Sequence, residues 1–148
     1  MTVVVQLSDT HLVGGDRLAY GQIDTLGALR RVAAQLRTID TEVGGIDAIV
    51  VSGDLTDHGE PEAYGYLKEA MSWFDRPFLV LPGNHDLREP MRAVFDTLPA
   101  AGPLDQVVQV GALSLVLLDT LLEGEPYGRL SEAQLVWLDE ALAAEQGR

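Results

Sequence analysis

The sequence predicts an α/β fold built on a largely parallel sheet, and three observations predict it. Short apolar, β-branched runs alternate with stretches of helical period over the first half of the chain. Glycine-bearing turns follow the second and third runs. The polar residues that stand out all fall just past the ends of those runs. Alternation of this kind is the signature of βαβ units, whose right-handed connections bring every strand's C-terminal end to one edge of the sheet. Ligands of open α/β sheets bind at that edge.

The elements follow in order. Val3 to Leu7 reads as the first strand. Gln22 to Ile39 reads as a helix, because Ile23, Leu26, Leu29, Ala33 and Leu36 recur at intervals of three and four. Gly44-Gly45 ends it, and Asp47 to Val51 is the second strand. The next helix opens at Glu60-Pro61, with proline suited to the first helical position and Tyr64, Leu67, Met71 and Phe74 as its apolar face. Phe78 to Leu81 is the third strand, and a short helix covers Glu89 to Leu98. Val107 to Val110 and Leu113 to Leu118 form a hairpin around Gly111-Ala112. Ser131-Glu132-Ala133-Gln134 fits a capping box at the start of the last helix, whose expected buried stripe is Leu135, Leu138 and Leu142.

Composition narrows the function. The 148 residues suffice for one domain over 1–148, and 47% hydrophobic with 22% charged residues is the make-up of a globular protein. A net charge of −13 repels polyphosphate backbones and anionic membranes, which argues against nucleic-acid polymers and membrane surfaces as partners. A small anionic substrate stays compatible where metal supplies local positive charge. The chain has no cysteine. Its first residues lack the basic and long apolar segments of a signal peptide, and no apolar run approaches the ~20 residues of a membrane span. The expected location is the cytoplasm.

Three strand ends carry the chemistry: Asp9-Thr10-His11, Gly53-Asp54 and Gly83-Asn84-His85-Asp86. Together they bring two carboxylates, two imidazoles and an amide to one edge, a donor set for borderline or hard divalent metals such as Zn, Mn or Fe. In an extended segment residues i and i+2 point the same way, so Asp9 and His11 are expected to grip one ion. Gly53 and Gly83 permit tight turns, and Asp54, at the tip of the central strand, is the natural bridge between two ions. Two ions can bind a bridging hydroxide for in-line attack on a phosphoryl group. His85 is expected beside the substrate, stabilising or protonating the departing oxygen, with Asp86 orienting it. Each motif alone is a common turn sequence; all three in this order are not explained as turns. His58 reads as a solvated loop histidine, and Asp119 as a residue that caps or positions loops.

These blocks resemble the first three signature blocks of the calcineurin-like metallophosphoesterase family. The segments 53–64, 81–86 and 130–138 are similar to its class III cyclic-nucleotide phosphodiesterase and glycerophosphodiesterase branch. The resemblance runs through essentially the whole chain. It implies a four-layer α-β-β-α sandwich and two metal ions, of Fe, Mn or Zn. Residues matching Asp9 and His11 hold the first ion, Asp54 both, and Asn84 the second. Asn84 and His85 face the substrate, and His85 is the catalytic histidine. The implied reaction is hydrolysis of phosphodiesters, 3',5'-cyclic nucleotides or related small compounds, or of phosphomonoesters.

The family continues with a histidine block and a Gly-His-x-His block, whereas the histidines here are His11, His58 and His85. The expectation is therefore a domain whose C-terminal part is missing before the final histidine motifs. The alternative function is an inactive or weakly metal-binding fragment that needs that half. Part of the second sheet would then be unbuilt, exposing a strand edge or apolar patch that invites a homo-oligomer.

Overall fold

The computed structural model describes residues 1–15 and 17–145. Strands β1 (Val4–Leu7), β2 (Ala48–Ser52) and β3 (Phe78–Leu81) form a parallel sheet in that spatial order. Val5 stands opposite Ile49, and Ile49 opposite Phe78; Leu7, Val51 and Val80 are likewise in register. Helix α1 (Thr25–Glu42) connects β1 to β2, and α2 (Pro61–Ala70) connects β2 to β3. Both crossovers advance in the same direction across the sheet, so right-handed connections place both helices on one face. The core sits there. Leu29, Ala33 and Leu36 of α1 and Ala63, Tyr64 and Leu67 of α2 cluster with Ile49, Val51 and Val80.

The pleat points Val4, Gln6, Val50 and Ser52 to the opposite face. Strands β4 (Gln106–Val110) and β5 (Leu113–Leu117) form an antiparallel pair there, joined through Gly111 at φ +59, a backbone state two-residue hairpins demand. A cleft of about 340 Å³ separates Val4, Gln6 and Val50 from β5. Helix α3 (Arg88–Val94) follows β3, and α4 (Glu132–Glu145) ends the described chain. A parallel sheet, a second sheet and four helices among the described residues agree with the expected metallophosphoesterase-like α/β fold. No helix of the described residues is long and apolar enough to cross a membrane.

Boundaries differ from the sequence reading where side chains cap the backbone. Helix α1 starts at Thr25 instead of Gln22, because Asp24 accepts the Gly27 N–H at 2.7 Å and fixes the first turn. The short helix spans Arg88–Val94, ending before Leu98. The capping box is present: Ser131 Oγ accepts the Gln134 N–H at 3.2 Å, and Gln134 Oε1 accepts the Ser131 N–H at 3.1 Å.

The expected buried stripe of α4 is corrected. Leu135 and Leu142 are 48% and 45% exposed, and the buried residue of this helix is Gln134. Gln134 donates to the Asp119 carbonyl at 2.7 Å and to Asp105 at 3.1 Å. That polar anchor turns 134, 137, 138 and 141 inward, so Leu138 lies at the edge of the contact while Leu135 and Leu142 lie off it.

Candidate metal centre

Beyond β1 and β2 the two chains stay side by side. The N–H groups of Asp9, His11 and Leu12 donate to the carbonyls of Gly53, Asp54 and Leu55, each at 3.0 Å. This ladder carries the first two predicted motifs to one place. The backbone is not extended there, however. Asp9, His11 and Asp54 have φ of +54, +40 and +48. The i, i+2 argument for Asp9 and His11 is thereby corrected: it is a left-handed backbone that aims them, at a cost of about 1–3 kcal/mol per residue. Tyr20 is the remaining non-glycine residue with positive φ among those described, and its hydroxyl donates to Asp57 at 3.2 Å. All four non-glycine residues with a left-handed backbone therefore belong to one cluster.

Gly83 is needed for the third motif to join. A Cβ there would lie 2.2 Å from Asp54 Oδ1 and 2.3 Å from the Asp54 nitrogen. Without one, Asp54 Oδ1 accepts the His85 N–H at 3.0 Å.

Asp9, His11 and Asp54 each offer a donor atom within 4.8 Å of the others. His11 Nε2 lies 3.7 Å from Asp54 Oδ2, while its Nδ1 lies 3.0 Å from Asp57 Oδ1. A carboxylate on one imidazole nitrogen with the other turned towards donors is the arrangement that orients metal-ligating histidines. Among the described residues no Lys or Arg pairs with Asp9, Asp54 or Asp57. Converging carboxylates without a basic partner fit a bound cation.

Asp57 is the residue the sequence reading missed. It is 5% exposed and gathers His11, Tyr20 and His58, whose Nε2 stands 3.3 Å from Oδ2. Burial pushes its carboxyl up, but the hydrogen bonds from His11 and Tyr20 and the charge of His58 and His11 outweigh that and hold it below its ordinary value. The available signal was its place three residues after Asp54, inside a motif used only for resemblance. His58 has an exposed side chain, as expected of a loop residue, yet it is paired.

His85 Nδ1 lies 3.0 Å from the Asp57 carbonyl, and its ring meets that of His11 edge-on at 4.9 Å. Asp86 does not orient it, which corrects the expectation. The Asp86 carboxylate is 1% exposed and accepts the N–H groups of Gly83, Leu55 and Thr56, the Thr56 hydroxyl and the Tyr64 hydroxyl. Burial pushes this carboxyl above its ordinary value, and the three N–H donors and Tyr64 pull it only part of the way back. It pins the loop after β2 to the loop after β3. Asn84 is exposed and lines a cavity of about 350 Å³ with Ser52, Gly83, Thr120 and Tyr127. Asp119 positions loops as expected, accepting Arg88 Nε at 2.7 Å and the N–H groups of Leu104 and Leu121 at 2.8 and 2.9 Å.

Tyr64 tests the pinning. Its hydroxyl is fully buried, donates to Asp86 at 2.9 Å and accepts the Leu87 N–H at 3.0 Å. Tyr64→Phe removes both bonds and takes one donor from the buried Asp86 carboxylate, so it lowers stability by about 1–3 kcal/mol. Urea denaturation measures this, and an unchanged midpoint would contradict the role.

The sequence model of the calcineurin-like phosphoesterase family matches residues 2–140. The chain is 38% identical over 146 residues to a cAMP/cGMP dual specificity phosphodiesterase of Mycobacterium tuberculosis, covering 95% of this chain and 45% of that protein. It is 34% identical over 143 residues to a probable glycerophosphodiester phosphodiesterase of Arcobacter nitrofigilis, covering 95% and 51%. With a 3',5'-cyclic adenosine monophosphate phosphodiesterase of Escherichia coli it shares 34% over 142 residues, covering 95% and 50%. The chain spans about half the length of these curated relatives.

Proposed function

The chain belongs to the calcineurin-like phosphoesterase family, and from that premise we propose that it carries the metal-binding part of a phosphodiesterase acting on small phosphodiesters, 3',5'-cyclic nucleotides first among them, in the cytoplasm. One observation carries the reading: Asp9, His11 and Asp54 converge, and among the described residues no Lys or Arg pairs with them. The relatives' phosphodiesterase names support the substrate class.

Asp9, His11 and Asp54 would hold one ion of Fe, Mn or Zn, and Asp54 with Asn84 would contribute to a second. Such ions neutralise phosphoryl charge and acidify water. The chain's own residues do the rest. Asp57 fixes the His11 ring and so orients its other nitrogen. It holds His85 through its carbonyl, which sets the Nδ1 proton and leaves Nε2 to deliver one to the departing oxygen.

His85→Ala tests this assignment. The variant keeps most of its bound metal while turnover of a chromogenic phosphodiester falls by roughly 10²- to 10⁴-fold, the worth of a general acid. Elemental analysis and kinetics on one preparation decide it. Metal lost in proportion to activity would make His85 a ligand instead.

A further inference from the structure

Beside the donor cluster stands a tyrosine in an unusual conformation. Tyr20 lies in the turn between Ala19 and Ile23, whose backbones exchange two hydrogen bonds at 2.9 Å. Its φ is +52, and Gly21 follows at +70. The left-handed region is an outlier for a bulky side chain, so the conformation calls for a reason. Burial of the ring is not that reason, because Tyr20 is 65% exposed. The turn instead carries the hydroxyl to a buried carboxylate, where it donates to Asp57 Oδ1 at 3.2 Å.

That oxygen is the one that meets the imidazoles. It accepts from His11 Nδ1 at 3.0 Å and stands 3.6 Å from His85 Nδ1, while Oδ2 faces His58 Nε2 at 3.3 Å. The terminal torsion of an aspartate is soft, so hydrogen bonds decide which way its carboxylate faces. We propose that Tyr20 is a positioning residue of the metal centre: its hydroxyl holds the Asp57 carboxylate towards His11, and through Asp57 it keeps His11 Nε2 aimed at the ion. The inference rests on the metal-centre reading above and adds a residue from outside the three motifs. Partners that orient a ligating imidazole govern metal affinity, and Tyr20 acts one bond further out, on the partner itself.

Tyr20→Phe removes the hydroxyl and keeps the ring. Equilibrium dialysis of the full chain against Mn²⁺ shows an affinity about 3- to 10-fold lower, less than the 10–100-fold that follows loss of a group touching the ligand. In an Asp57→Ala background the same substitution has no further effect, because the carboxylate through which it acts is gone. Proton NMR of the metal-free single variant gives a readout independent of the ion: the resonance of the His11 Nδ1 proton moves as its acceptor loses the second hydrogen bond. Parental Mn²⁺ affinity in Tyr20→Phe, an equal further loss in the Asp57→Ala background, or an unmoved Nδ1 proton resonance overturns the positioning role and leaves the metal centre standing. Failure of the parent chain to bind Mn²⁺ overturns the metal-centre reading and this inference with it.

Discussion

Asp54→Ala lowers the Mn²⁺ affinity of the chain by more than about 100-fold, whereas His58→Ala changes it by less than about threefold. Losing a residue that merely supports a ligand costs about 10–100-fold in many metal sites. Asp54 is proposed as a ligand in its own right, and to both ions. Its Oδ2 faces His11 Nε2 at 3.7 Å, and its Oδ1 holds the His85 N–H at 3.0 Å. Removing it takes charge from the cluster and releases the turn that carries His85. His58 meets the cluster at Asp57, with 60% of its side chain exposed. Equilibrium dialysis on the two variants gives the comparison, with Asp54→Asn separating lost charge from lost volume. An Asp54→Ala chain that binds metal like the parent would refute the assignment.

Asp86→Ala has the largest effect on the fold. It destabilises the chain by about 3–5 kcal/mol, because several buried donors lose their acceptor at about 1–3 kcal/mol each. Five hydrogen bonds converge on this carboxylate, three of them from backbone N–H groups of the two loops that carry Asp54 and His85. Without it those donors stay buried and unpaired. A domain's total stability is only about 5–15 kcal/mol, so the variant is expected to be partly unfolded at 37 °C. Metal affinity falls with it, because the two loops are no longer held in register. Urea denaturation followed by circular dichroism measures the change. A loss below about 1 kcal/mol would show that water or neighbouring groups replace the carboxylate, and the pinning role would fail.

Much of this molecule is legible in its sequence. The strand–helix alternation located all three parallel strands to within a residue or two, because a strand buried against helices must be a short β-branched run. The motif positions followed from the same logic, since a parallel sheet delivers every strand end to one edge. Helix starts were less legible, because Asp24 decides where α1 begins through a single side-chain bond.

The order of elements and the meeting of Asp9, His11 and Asp54 at one sheet edge are thus legible in the chain itself. Both depend on period and connectivity, which one dimension carries. The tertiary structure alone decided three further matters. It gave the orientation of His11 to Asp57, and it gave Asp86 to the loops in place of His85. It also turned Gln134, not Leu135, inward on α4. The reason is common to all three. Carboxylates two or three residues apart are equivalent in sequence, and so are adjacent faces of one helix. Only left-handed turns, burial and the supply of unpaired N–H groups distinguish them, and those exist once the loops are packed together.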